Sequence, residues 1–318
     1  MIALCYSKSA MADAKKISEE IFSTSVILAD SETISLGVGN FDPKVLLDPK
    51  QAHLFNKLTN SESIDQRNQL SVTNLPYNFV LNKNDEEWSD KITASFSYIK
   101  QSNTQSVISS SGEVLDENTD KVYSGYLAYS TYMPLSKRWK MRLRMGSYLM
   151  HHDNDYQYNN ANSLYFQPQL DGIYYNLDEN ALIIEPNIQF TYTKPKTWGK
   201  WQFSSQLDYF IGKTFSGASS TKGAKPQGWR INNKVKLHYS LSHYSTHAES
   251  VYIKLQRSDI SGDMVSSLNT HHFYEIGVGI LIDTTKLTDL ADNIGIGINL
   301  NKGSSLYGGS VVFYFNEF

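Results

Sequence analysis

The chain of 318 residues carries a formal net charge of −3, with 40% hydrophobic and 19% charged residues; that balance gives no reason to look for a nucleic-acid partner, and the aromatic content argues against disorder. No run of about 18 apolar residues exists, which excludes a membrane-spanning helix, and the single cysteine, Cys5, excludes an intrachain disulfide and a thiolate metal site. The 21 Tyr, 14 Phe and 5 Trp against 8 Pro, with abundant Ser, Asn and Thr, suit many β-strands bounded by polar turns.

The opening "MIALCYSKSAMADAKK" reads as the end of a secretory signal. Ala10-Met11-Ala12 fits the small-x-small cleavage rule and makes Asp13 the first mature residue. The apolar stretch Ile2–Tyr6 is short and lacks a basic flank, so the true start is expected upstream. Residues 1–12 are thus expected to be a signal remnant, 13–67 an N-terminal segment and 68–318 a β domain. The segment begins with helical spacing (Ile17, Ile21, Leu28), while its second half fits a helix or a hairpin around Asp30-Ser31-Glu32. From about residue 68 the hydrophobic period is 2. The expected strands are 68–82, 88–101, 120–133, 137–150, 162–177, 180–193, 199–213, 228–242, 248–257, 271–283, 292–301 and 306–318. Most are longer than the usual 5–6 residues and long enough for the roughly 9–11 that cross a membrane.

Their two faces differ sharply. "KRWKMRLRMGSYLM" puts Trp139, Met141, Leu143 and Met145 on one face and Lys140, Arg142, Arg144 and Gly146 on the other. "KWQFSSQLDYFIG", "WRINNKVKLHYSL" and "NIGIGINL" repeat the division. A soluble barrel turns its apolar face inward, whereas a transmembrane barrel turns it outward and keeps polar residues within, with aromatics at the strand ends. Trp139, Trp198, Trp201 and Trp229 all stand near strand starts. The expected fold is therefore all-β: a closed antiparallel transmembrane β-barrel of about 12 strands, monomeric, seated in outer-membrane lipid. Its N-terminal segment is expected in or near the lumen.

Twelve strands over about 250 residues, a preceding segment able to thread the pore and a terminal Phe318 make the chain resemble the translocator barrel of autotransporters. Too few residues precede the first strand for a passenger domain, so it resembles a solitary barrel of that type from Gram-negative bacteria. The resemblance implies location in the cell outer membrane and insertion by the barrel-assembly machinery. That machinery would read the last strand through Phe318, Tyr314 and Val312, although Asn316 departs from the usual apolar pattern. It implies a structural or pore-forming role. The polar face suggests an anion-biased small-solute channel as an alternative, and an outer-membrane hydrolase with a rim site as another. No G-x-S-x-G signature supports the latter, so no enzyme is expected.

The lumen-lining candidates are Lys140, Arg142, Arg144, Arg230, Lys234 and Lys236, with Asp171, Glu185, Asp208 and Glu275 at the same inward parity. They either pair across a filled lumen or line a pore. Lys15, Lys16, Glu19 and Glu20 are the N-terminal charges expected to meet them. No metal or other cofactor is expected: His151-His152 and His271-His272 point to opposite faces of a strand, so neither pair chelates alone. The order of long and short connections is inconsistent across these twelve segments. Either one segment between 151 and 199 is not a strand, or a strand near 33–39 joins the sheet.

Overall fold

The first way out of that inconsistency is realised; of residues 33–39 only Gly39 is described, and it opens a three-residue strand. The protein is described here by a computed structural model, covering residues 2–30, 32, 39–41, 70–83, 88–104, 115–241, 249–284, 293–303 and 307–315. Helix α1 (Ile2–Ala29) opens the chain, followed by the three-residue strand β1 (Gly39–Phe41). The long strands are β2 (Leu70–Lys83), β3 (Ser89–Thr104), β4 (Glu117–Pro134), β5 (Trp139–Gln157), β6 (Asp178–Lys196), β7 (Gly199–Ser216), β8 (Gln227–Ser240), β9 (Glu249–Gly262), β10 (His272–Asp283), β11 (Asn293–Lys302) and β12 (Gly308–Phe315). Helix α2 (Ala161–Leu170) lies between β5 and β6, and α3 (Met264–Leu268) between β9 and β10.

Segment 162–177, expected as a strand, is thus a helix and a turn. Asn160 caps the helix by accepting a hydrogen bond from the Asn162 amide at 2.8 Å. Asp116 fixes the entry by accepting from the amides of Asn159 (2.8 Å) and Asn160 (2.9 Å) and from the Tyr156 hydroxyl (2.9 Å). These local side-chain acceptors compete with a ladder and win. Residues 39–41 meanwhile pair with β12, from Gly39 opposite Val311 to Phe41 opposite Gly309. With 162–177 no longer a strand, connections 105–116, 158–177, 217–226, 263–271 and 303–307 fall at one end of the sheet, the long-connection end, which holds the three longest. Connections 84–88, 135–138, 197–198, 241–248 and 284–292 fall at the other, the short-turn end, which holds the two shortest.

Every long strand pairs antiparallel with its neighbours in the chain, and the strand order runs β1-β12-β11 and so on to β3-β2. The sheet curls around α1. Residues Phe22 to Asp30 are buried on nearly every side of the helix, as happens when a helix is enclosed rather than laid on a surface. Phe22, Val26, Ile27 and Leu28 pack with inward residues of the wall, among them Val72, Ile99, Val122, Met150, Ile183 and Phe210, and with Met264 and Leu268 of α3. The outer face is the reverse: Leu143, Met145, Leu149, Leu182, Ile184, Leu207 and Ile276 are all exposed. At the short-turn end this face carries an aromatic band, in which Tyr192 lies 5.2 Å from both Trp139 and Trp201, and Trp198 stacks on Tyr239 at 6.3 Å.

Candidate functional site

Strand register assembles the site. Arg144, Asn187, Asp208 and Arg230 are directly opposite one another in succession on β5, β6, β7 and β8. Because all four sit at inward parity, one row across the wall reads cation, amide, carboxylate, cation. Arg142 stands two residues from Arg144 on the same face, opposite Gln189 and then Gln206. Glu185 precedes Pro186, which has no amide proton to donate to a ladder. The β6–β7 pairing skips both residues.

Into this row comes the end of α1. The Arg142 guanidinium grips Glu32 with both nitrogens, Nη1 to Oε1 at 2.8 Å and Nη2 to Oε2 at 2.9 Å, the paired geometry an arginine fork offers a carboxylate. Its Nη2 also donates to Asn187 and Gln206 at 3.2 Å. Arg144 Nη1 meets Glu32 at 3.0 Å, and its Nη2 meets Asp208 at 3.4 Å and Glu185 at 3.7 Å. Arg230 holds Asp30 at 2.7 Å, Glu185 at 2.9 Å and Asp208 at 3.5 Å. The Glu32 carbonyl accepts from Lys234 Nζ at 3.1 Å and Gln256 at 3.2 Å, and the Ala29 carbonyl from Asn74 at 2.6 Å. Buried charges persist only when paired and hydrogen-bonded, and here two carboxylates of the N-terminal segment complete the pairing of three wall arginines.

The expected lining residues divide. Arg142, Arg144, Arg230, Glu185, Asp208 and Lys234 are brought to one cluster. Glu275 is buried elsewhere on the wall, in an ion pair with Lys254. Lys236 is half-buried and Lys140 exposed, nearer the short-turn end, where both lie close enough to Lys200 to repel it. Asp171 is not on a strand. It ends α2, accepting from the Tyr158 hydroxyl at 3.2 Å and from Asn176 at 2.5 Å, because Asn160 has capped that segment as a helix. Val312 is turned inward against Tyr252 and Leu281; Phe318 and the Tyr314 side chain lie outside the described residues. Among the described residues, the N-terminal charges that reach the wall's cations are Asp30 and Glu32, rather than Lys15, Lys16, Glu19 and Glu20. Glu19 accepts from the Lys225 amide at 2.7 Å, and Lys16 faces Glu20 at 4.0 Å. The signal for Asp30 and Glu32 was present: two acids directly follow the most apolar run of the segment, "SVILA".

At the long-connection end, outside the sheet, Asp116 and Tyr158 are among the ionisable groups that are shifted. Burial would raise the Asp116 carboxyl, but hydrogen bonds from Ser163, Asn160, Tyr156 and Asn159 outweigh it and hold it below the ordinary carboxylate range. Burial, and then neighbouring Asp171, push the Tyr158 phenol up. His151 and His152 do point to opposite faces. His152 is buried inside against Asp120 at 2.9 Å, while half-buried His151 lies 3.2 Å from Asn180 and beside Tyr123.

A search of the curated proteins found no match. Among solved structures the chain is similar to the beta domain of the Bordetella autotransporter BrkA, at 14% identity and a TM-score of 0.44, over 77% of this chain and 88% of that one. The model of the family described as "solitary outer membrane autotransporter beta-barrel domain" matches residues 19–317, from the middle of α1 past the end of β12. The chain therefore belongs to the solitary outer-membrane autotransporter β-barrel domains, proteins of the Gram-negative outer membrane.

Proposed function

We propose that β1 and β2 meet to close a monomeric barrel whose conduit is held shut by α1, so that the protein is a gated, pore-forming barrel rather than a catalyst. Lipid leaves no water for open strand edges, so a closed ring is the arrangement that satisfies every backbone group there. The carrying observation is the seating of Asp30 and Glu32 on Arg142, Arg144 and Arg230 at the end of an enclosed helix. With that segment withdrawn, Arg142, Arg144, Arg230 and Lys234 make four cations against the two carboxylates of Glu185 and Asp208, a surplus of two that favours anions in the opening. Lys140 and Lys236 extend the same sign towards the short-turn mouth. Assembly proceeds through the barrel-assembly machinery reading the last strand and Phe318.

Planar-bilayer conductance tests the reading. The full chain should conduct weakly, and the paired change Asp30→Asn with Glu32→Gln, or deletion of residues 13–32, which leaves β1 in place, should raise conductance with anion preference. Changing Lys140, Arg142 and Arg144 to Gln should then reduce that preference. Unchanged conductance in both the paired variant and the deletion, each migrating as a folded barrel, overturns the gate.

A further inference from the structure

At the long-connection end, above the arginine row, α1 leaves space against the wall. A cavity of about 400 Å³ lies there, within the size range of small-molecule sites. Ile17 and Ile21 of α1 line one side and Leu170, Ile173 and Tyr174 of the β5–β6 connection another. Ile17 keeps 41% of its surface exposed although it lines the space, so it stands at the rim. The remaining side is polar and deeply buried: His152 and Glu179 each expose 1%.

The hydrogen bonds of that polar side are incomplete in one sense only. Asp120 has partners on both oxygens, accepting from His152 Nε2 at 2.9 Å, Asn154 at 2.8 Å and Asn118 at 3.2 Å. Glu179 Oε2 accepts from the Ser18 hydroxyl at 2.8 Å and the Thr221 hydroxyl lies close to the same carboxylate, while Oε1 has no hydrogen bond of good geometry. His152 Nδ1 has no hydrogen-bond partner either and sits 3.6 Å from Glu179. With Asp120 at Nε2 and Glu179 facing Nδ1, the ring has a carboxylate on each nitrogen, which favours a proton on both, and Glu179 Oε1 is left as the buried acceptor without a hydrogen bond. Even with a proton on both ring nitrogens, one imidazolium faces the two carboxylates Asp120 and Glu179, and Asp13 adds a third near Tyr174. An anion entering here would meet like charge, and a neutral apolar body would leave the carboxylate oxygen unsatisfied, which is costly when buried.

We propose that this cavity binds a small organic cation: an ammonium that donates to the Glu179 carboxylate, carried on an aromatic or branched aliphatic body that fills the apolar side. An ammonium brings three donors and no acceptor, the complement of what the site lacks.

The test uses the full chain in lipid nanodiscs, with phenethylamine and isoamylamine as cations and phenylacetate and 2-phenylethanol as the anionic and neutral counterparts, titrated by calorimetry. At least one amine should bind saturably, about tenfold or more tighter than the anion and the alcohol, as expected for one charge-assisted hydrogen bond. Glu179→Gln should weaken that binding by a similar factor, and Ile173→Trp, which fills the apolar side, should abolish it, both variants still migrating as folded barrels. The proposal is overturned if neither amine saturates at millimolar concentration, or if phenylacetate binds as well as phenethylamine. It is equally overturned if binding survives both substitutions unchanged. The comparison among the four probes on the unaltered chain decides the matter even if a variant fails to fold.

Discussion

Strand β5 shows two surfaces one residue apart, and they obey different rules. Leu143 is 42% exposed on the outer face, where being apolar is nearly all that the medium requires. Arg142 and Arg144, its immediate neighbours, are buried and answer to partners on two other strands, β6 and β7, and on the N-terminal segment. The outer face is specified by class, the inner face by geometry. A substitution that keeps class should therefore be nearly silent outside and severe inside.

The largest expected effect is on the inner face. Arg230→Met keeps bulk but leaves Asp30, Glu185 and Asp208 without their common cation, and breaking a buried ion pair from one side costs about 3–5 kcal/mol. Guanidinium unfolding of the barrel in lipid vesicles should show it, and a loss under 1 kcal/mol, set against that range of about 3–5 kcal/mol, would erase the contrast between the faces. Next comes the outer face. Leu143→Arg should cost about 2–4 kcal/mol, as for a cation near the bilayer midplane, whereas Met145→Leu, which keeps class, should cost less than about 1.5 kcal/mol. An equal cost for the two would show that the outer face also depends on fit.

The smallest effect lies outside the sheet, at a buried carboxylate beyond both faces. Asp116 is held below its ordinary pKa, so the stability it gives the β5–β6 connection is complete above the unfolded aspartate value of about 3.9 and is lost as pH falls through the lower folded value. Protection of the Asn159 and Asn160 amides against hydrogen exchange, corrected for the intrinsic rate, should drop below about pH 4. Asp116→Asn should remove that dependence. Protection that falls equally in the variant would assign the change to other groups.

Period 2 made most of this legible. The faces of β5, β7, β8 and β11 follow from alternation alone, since lipid and interior select opposite residue classes along the same strand. Segment 162–177 misled because its apolar residues (Leu164, Tyr165, Phe166, Leu170) also suit a strand, and the deciding acceptors, Asn160 and Asp116, stand before it in the chain. The arginine row was readable as inward-facing but not as a site. Its register depends on where the β6–β7 pairing skips Glu185 and Pro186, and its remaining partners lie 110 to 200 residues away. Alternation carries no information across such a distance.

The run of α1 along the wall also has a mechanical meaning. The helix touches Glu179 near the long-connection end of β6 through Ser18, and the chain just past it reaches Arg142, which stands opposite Gln189 farther along the same strand. A tug on the helix from the long-connection side is therefore directed along the strands, and it loads the Asp30 and Glu32 contacts to β5 and β8 in shear, all at once. Contacts loaded together must yield together. The N-terminal segment thus resists tension along the axis far better than a sideways peel, which would open its contacts one at a time.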